Sequence, residues 1–483
     1  MSQSPSVSRN YIWNTINQVF ILLVPLILTP YLSRVLGADG IGIYSYVNSI
    51  ASYFIITAIL GTTLYGQRSI ACVRNNKEEC SKVFWEIQIF RMLASTICLA
   101  FFFIVISFIK ENILIYFILS INIVNVIFDI SWFYYGIEDF KKIAIRNFMV
   151  KILNMVFIFV FINDPSDLWL YAASIVGFSI LGNASMWFGL PKILVKVDDV
   201  HPLKNIKDII LLFLPTMATQ VYCVLDKSMI GWITGSSYQN GCYEQAEKVA
   251  RFSLSIVTSI AMVVLPRVAN LFKNQMKDDV LFYIYKAYRF TTFLAFPIMF
   301  GLIGVAGTFV PVFFGEGYDL VEVLMPIFSI LVVAVSLAYL TGYSYLISTK
   351  QQNVYTFSVA VAAVCNLAIN FVLIPRIGAV GAAIASVSAE IIGVSIQIGY
   401  CCLSHQLELK KIFEGAFKYL VSAFLMLLVL LMVQKYLPTT VIGLLALIAI
   451  GVAAYSLMLF ILKDDFFRNN VKMVFRKLLM ERR

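Results

Sequence analysis

Apolar runs of about twenty residues recur from one end of the chain to the other, and this repetition restricts the fold more than any other feature. A helix needs about 20 mostly apolar residues to cross the hydrocarbon core of a bilayer. Fourteen runs meet that length: 11–33, 41–65, 84–109, 112–134, 144–163, 167–190, 208–233, 249–272, 287–314, 320–347, 354–375, 378–403, 412–436 and 438–462. Only 13% of the 483 residues are charged, about half the ~25% of soluble domains. Water cannot be the solvent for most of such a surface. The sequence therefore predicts an all-α polytopic membrane protein of about fourteen transmembrane helices. Its first run is too long for a signal-peptide core and lacks a small-residue cleavage site, so it is expected to stay as the first helix.

Turn residues separate the runs, as in Gly37-Ala-Asp-Gly40, Asn163-Asp-Pro165, Gly315-Glu-Gly317 and Pro375-Arg-Ile-Gly378. With the N-terminus placed in the cytoplasm, cytoplasmic segments hold 26 of the 37 Lys and Arg residues, Arg267 and Arg289 being counted with the loop they flank. Outer segments hold 5, namely Arg34, Lys110, Lys248, Arg376 and Lys435. This is the positive-inside pattern. It predicts an even number of transmembrane helices with both termini in the cytoplasm. It also accounts for the net charge of +10 without nucleic acid, which is not an expected partner. A short echo, Gly42-Ile-Tyr44 against Gly241-Cys-Tyr243, recurs at an offset of 199 residues and points to duplicated halves. The expected organisation is a six-helix N-terminal lobe over 1–190, a cytoplasmic linker over 191–207 and a six-helix C-terminal lobe over 208–403. Transmembrane helices 13 and 14 follow over 404–463, then a basic amphipathic tail over 464–483 suited to the anionic inner leaflet.

Catalytic constellations do not emerge. His201 and His405 both fall in predicted loops, and the chain has no P-loop, GxSxG or HExxH motif. The eight cysteines show no CxxC spacing, so neither a disulfide framework nor a zinc site is indicated. The chain is expected not to be an enzyme and to carry no cofactor.

The informative residues are polar groups inside the spans, each costing about 2.5–3.5 kcal/mol near a helix centre. They form stripes: Gln88, Arg91 and Ser95; Asn122, Asn125 and Asp129; Asn147, Lys151 and Asn154; Thr216, Gln220, Cys223 and Lys227; Ser386, Glu390 and Gln397. One-sided polar stripes are how a bundle lines a cavity. The candidate substrate-binding residues are Arg91, Lys151, Asn147, Asn154, Asn125, Lys227 and Arg251. Asp129 and Glu390 are candidates for ion pairing or ion coupling. Arg91 and Asp129 lie at similar depth and are expected to pair, a bridge that structure alone could require. Lys227 and Arg251 lie near the outer ends of their spans, where snorkelling accounts for them equally well. Glu390 lies near mid-membrane and would hold H+ or Na+, or pair with a cation. The small residues Gly378, Ala382 and Ser386 beside Gly381, Ala385 and Ala389 read as close helix packing.

Several segments carry a family resemblance. Leu32-Ser-Arg-Val-Leu-Gly-Ala-Asp-Gly-Ile-Gly-Ile-Tyr-Ser45 resembles the signature of polysaccharide-export flippases in the multidrug/oligosaccharidyl-lipid/polysaccharide exporter superfamily. Further matches follow in order: Trp132-Phe-Tyr-Tyr-Gly-Ile-Glu-Asp139, Asp226-Lys-Ser-Met-Ile-Gly231, Gly241-Cys-Tyr-Glu-Gln-Ala246, Leu265-Pro-Arg267, Asn370-Phe-Val-Leu-Ile-Pro375 and Gly378-Ala-Val-Gly-Ala-Ala383. The resemblance implies two six-helix lobes around a central, often cationic cavity, opened alternately to each side. Its substrate would be an undecaprenyl-diphosphate-linked oligosaccharide repeat unit for O-antigen, capsule or a related polymer. Membrane lipids, a polysaccharide polymerase and glycosyltransferases would be its partners. In some related flippases arginines on the first two helices and the eighth contact the pyrophosphate. Here the first two spans carry no interior charge, and Arg251 is the nearest counterpart, which shifts the expected anion site toward Arg91 and Lys151. A lipid II flippase is the nearest alternative. A drug/cation antiporter of the same superfamily would want an acidic cavity, and a membrane glycosyltransferase or polymerase would want a large outer loop.

Overall fold

The computed structural model describes residues 7–190 and 193–469, and these contain helices and no strand. The first eight helices are α1 (Val7–Ile59), α2 (Thr62–Val73), α3 (Lys77–Ser107), α4 (Ile113–Phe128), α5 (Ser131–Gly136), α6 (Phe140–Phe161), α7 (Leu168–Ser185) and α8 (Ile206–Thr234). They are followed by α9 (Ser237–Lys273), α10 (Lys277–Phe313), α11 (Asp319–Ala338), α12 (Gln352–Leu403), α13 (Leu409–Ile412), α14 (Ala416–Val433) and α15 (Val441–Ile461). Each expected span falls on helix. Among the described residues, eleven helices are long and apolar enough to cross a membrane, and the protein is a multi-pass membrane protein.

Two of the expected connections turn out tighter than loops. Helical structure continues through α1 and α12 with single-residue breaks at Gly37 (φ 66°) and Gly378 (φ 58°). Without a Cβ, glycine occupies this left-handed region at no steric cost, so the chain changes direction within one residue. Elsewhere polar caps end the helices. Asn76 accepts from the Glu78 and Glu79 backbone N–H groups at the start of α3, and Asp139 accepts from the Lys142 backbone N–H at the start of α6. Both satisfy amide donors that a first helical turn leaves open.

The chain divides into two compact units, Met1–Gly241 and Cys242–Arg483. Within the first, α1 packs on α3, α4, α6 and α8, while α7 packs on α4 and α6. The two echoed glycines meet backbone reciprocally here. A Cβ on Gly42 would strike the Ser237 carbonyl, and one on Gly241 would strike the Ala38 carbonyl. Gly42 and Gly241 lie 199 positions apart, and so do the residues they press on, Ala38 and Ser237, so the echoed glycines serve equivalent close approaches. At the opposite end of this unit the segment Trp132–Gly136 plugs an aromatic core. Phe84 stacks on Trp132 at 5.5 Å between ring centroids, and the Tyr134 hydroxyl donates to the Met186 carbonyl at 2.7 Å. The linker that follows is tied to α3: Lys82 meets Asp199 at 2.9 Å, and the Val195 N–H donates to Ser81 Oγ at 2.9 Å.

In the second unit α10 packs on α11, α14 and α15, and α12 packs on α11. The alanines of the small-residue stripe, Ala382, Ala385 and Ala389, are fully buried, as close packing requires. Arg289 of α10 gathers the C-terminal elements. It donates to the Tyr419 hydroxyl at 3.1 Å and faces Glu414 at 3.7 Å and Asp464 at 3.6 Å. Asp464 in turn accepts from the Phe467 N–H at 2.8 Å. Most of the expected amphipathic tail, from residue 470, lies outside the described residues.

Candidate functional site

The polar stripes of α3, α4 and α6 converge inside the first unit. They begin at the end of α4, where the helix stops at Phe128 and α5 starts at Ser131. A helix end leaves its last carbonyls without intrahelical donors. Here side chains from neighbouring elements supply them. Gln88 Nε2 donates to the Ile127 carbonyl at 2.6 Å, Trp187 Nε1 to the Phe128 carbonyl at 2.9 Å, and Arg91 Nη1 to the Asp129 carbonyl at 2.9 Å. A guanidinium at a helix C-terminus also meets the negative end of the helix dipole.

A cavity of ≈ 320 Å³ opens beside this helix end, within the roughly 300–1,000 Å³ of small-ligand sites. Its charged lining residues are Arg91, Asp129 and Arg146. Asn122, Asn125, Asn147, Ser179 and Asn183 add amides and a hydroxyl. An amide chain crosses the wall: Asn183 Nδ2 donates to Asn125 Oδ1 at 2.8 Å, and Asn125 Nδ2 donates to Ser179 Oγ at 2.7 Å. Arg146 extends the chain by donating to Asn183 Oδ1. Close approach of α6 and α7 permits that bond, since a Cβ on Gly182 would strike Val150.

The expected pairing of Arg91 with the Asp129 carboxylate takes another form. Arg91 contacts the Asp129 backbone carbonyl, and the carboxylate instead lies 4.0 Å from Arg146 and accepts from the Ser131 N–H at 3.0 Å. The reason is steric: α4 ends at this residue, so its carbonyl, not its side chain, is the acceptor presented toward α3. Arg91 is 0% exposed, yet its Nε and Nη2 have no hydrogen-bond partner, and neither does Arg146 Nε. A buried donor left unmatched costs about 1–3 kcal/mol. Two guanidinium groups against one carboxylate leave the lining positive, with donors to spare. Such forks match the oxygens of a phosphate or carboxylate.

Of the sequence-derived candidates, Arg91, Asn125, Asp129 and Asn147 line this cavity, and Lys151 and Asn154 do not. At about 100° per residue, Lys151 lies about 40° beyond Asn147, the edge of the arc made by Arg146, Val150 and Asn147, and about a quarter-turn from the middle of that arc. Asn154 lies about 10 Å farther along α6 at 1.5 Å per residue; its Oδ1 is buried without a partner. Lys227 sits half-buried near the end of α8, and its backbone carbonyl accepts from Asn240 Nδ2 at 3.0 Å. Arg251, in the second unit, is held by Glu247 one turn earlier at 2.6 Å, which offsets the charge expected to meet a substrate. Glu390, also in the second unit, is half-buried and within electrostatic reach of Tyr355. The side chains of Thr216 and Cys223 lie outside those described. Arg146, Ser179 and Asn183 are lining residues that the stripes did not single out. Arg146 and Asn183 were visible in the sequence as polar groups within the apolar runs 144–163 and 167–190.

Comparison with known proteins gives this cavity its context. A family model described as polysaccharide biosynthesis protein matches residues 7–272, more than half of the chain. A second model, described as lipid II flippase MurJ, matches residues 240–451. A protein of Escherichia coli strain K12, provisionally named an O-antigen transporter, is 23% identical over 407 residues, covering 81% of this chain and 96% of that protein. A Shigella dysenteriae protein of the same name is 23% identical, covering 77% and 93%. Among solved structures, the inward closed conformation of the lipid II flippase MurJ superposes with a TM-score of 0.69 at 16% identity, covering 95% of this chain and 99% of that one. An inward-facing multidrug resistance MATE family transporter of the MOP superfamily gives 0.58 at 14% identity, covering 80% and 98%. These are transporter folds, not those of an enzyme family, and the chain belongs to the polysaccharide biosynthesis protein family.

Proposed function

We propose that this protein is a flippase that carries undecaprenyl-diphosphate-linked oligosaccharide repeat units across the bacterial plasma membrane for surface polysaccharide assembly. The observation that carries the reading is the cavity of the first unit, lined by the fully buried Arg91 and the partly buried Arg146, whose guanidinium groups keep N–H groups without a partner and are opposed by one carboxylate. A diphosphate supplies the acceptors that these donors lack, and the asparagines beside them suit hydrated sugar. Its lipid tail stays in the bilayer. The family match and the names of the E. coli and Shigella relatives support the same substrate class.

Transport proceeds by alternating access, with the six-helix lobes over 1–190 and 208–403 as the moving bodies and both termini in the cytoplasm. Glu390 is the proposed site for a coupling H+ or Na+. On the outer side a polymerase consumes the product, and cytoplasmic glycosyltransferases build the substrate.

Surface polymer in a strain lacking its own repeat-unit flippase tests the reading. The wild-type chain should restore polymer. Arg146→Gln should lower it at least about tenfold at normal protein level, the scale of one lost charge-assisted bond. Lys151→Ala, outside the lining, should lower it less. Full export by the Arg146 variant would remove the cavity from the substrate path.

A second reading, a lipid II flippase, is favoured by the match of residues 240–451 to the MurJ model. Rescue of cells depleted of their lipid II flippase, without restoration of surface polymer, would select it.

A further inference from the structure

A second cavity of the first unit, ≈ 410 Å³ in volume, lies at the end that the charge bias places outside. Two connections build it. The α3–α4 turn contributes Phe108 to Asn112, and the α8–α9 junction contributes Trp232, Ser236, Ser237 and Asn240. Tyr46 of α1 and Tyr116 of α4 close the wall. Tyr46 is pressed against α8, since a Cβ on Gly231 would strike its ring. Gly235 (φ 63°) then turns the chain so that Ser236 and Ser237 follow Trp232 around the rim.

The lining combines an aromatic face with polar groups around a hollow. Trp232 is 70% exposed and offers an indole face. Around it stand Lys110, Glu111 and Asn112, all exposed and able to donate or accept. At the base, Asn240 is 0% exposed, and its Oδ1 has no hydrogen-bond partner, although its Nδ2 is engaged by the Lys227 carbonyl. An interfacial anchor would set Trp232 against lipid but would explain neither the hollow nor the buried, unmet amide oxygen. A pyranose ring answers both. Its C–H face packs on an aromatic ring, and its hydroxyls donate to amide and carboxylate oxygens and accept from ammonium and hydroxyl groups.

We propose that this cavity, built around Trp232 and Asn240, is a sugar-binding subsite that receives the glycan of the lipid-linked substrate at the outer side of the membrane. The proposal rests on the flippase reading and extends it: the two cavities lie about 27 Å apart along the α3 direction, so they act as successive stations, the first for the diphosphate and the outer one for the sugar.

The test uses the full chain in lipid nanodiscs, with binding measured by native mass spectrometry. The probes are undecaprenyl diphosphate alone and the same lipid bearing glucose, galactose, N-acetylglucosamine or N-acetylgalactosamine. Wild-type protein should bind at least one sugar-bearing probe more tightly than the bare diphosphate. Trp232→Ala should weaken that probe about tenfold, the scale of one aromatic contact, and leave the bare diphosphate unchanged. Trp232→Phe should keep most of the preference, since a ring remains. Because Trp232 is exposed, neither change threatens the fold. Equal binding of sugar-bearing probes by wild type and Trp232→Ala would overturn the subsite while leaving the flippase reading intact. Failure of wild type to bind any of the five lipids would overturn both.

Discussion

Arg91 and Arg146 share one cavity but are held differently, and their substitutions should separate stability from transport. Arg91 is fully buried and closes the C-terminal end of α4 through the Asp129 carbonyl. Arg91→Gln removes that donor and leaves a buried acceptor unmet, at a cost of about 1–3 kcal/mol. Arg146 bonds an Asn183 side chain that keeps its second bond to Asn125. Its loss leaves less unsatisfied. Thermal unfolding in detergent should therefore show a clearly lower midpoint for Arg91→Gln than for Arg146→Gln. The reverse order would mean that Arg91 is not the structural cap described. Part of this site was legible in the sequence. The spacing of Asn122, Asn125 and Asp129 put three lining residues on one face of one helix, and all three line the cavity. Arg146 and Asn183 were not legible as partners, because their meeting depends on how closely α6 approaches α7 at Gly182. Lys151 was drawn in by i, i+4 spacing, which drifts about 40° per step from a true helical face. Since Asn147 already lies at the edge of the lining arc, that drift is enough to move the next side chain out of the cavity.

At the scale of elements, apolar run length located the helices well but not the geometry of their junctions. The segments around Gly37 and Gly378 read as short loops, whereas one glycine at positive φ makes each turn and helix resumes at once. Turn chemistry identified the positions; only the fold reveals that the connection is a single residue. The C-terminal elements give the sharpest check. Asp464, 1% exposed, caps the segment beginning at Asp465 and faces Arg289 of α10. Asparagine caps a helix about as well as aspartate, so Asp464→Asn keeps the bond from Phe467 and loses only the charge. Asp464→Ala loses both. The midpoint of thermal unfolding should fall in the order wild type, Asp464→Asn, Asp464→Ala, with the second step worth about 1 kcal/mol. Equal stability of all three would show that the capping and the Arg289 contact contribute nothing to the second unit.

For the whole molecule, the family assignment and the fold shared with the MurJ structure sit beside a first unit that carries a positive, partly unsatisfied cavity. The structures that share this fold are named for different functions, a lipid II flippase and a multidrug resistance transporter, so cargo has to be argued from the charge of the site. Two guanidinium groups against one carboxylate favour an anion over the cationic drugs of an antiporter. Transfer of a fluorescently labelled undecaprenyl-diphosphate oligosaccharide between the leaflets of proteoliposomes measures this most directly. Wild-type protein should move the lipid well above the rate in protein-free vesicles. The double variant Arg91→Lys with Arg146→Gln, reconstituted at equal density, should fall close to the protein-free rate. Transfer by the double variant as fast as by wild type, or by wild type no faster than in empty vesicles, would contradict a lipid-diphosphate flippase working through this cavity.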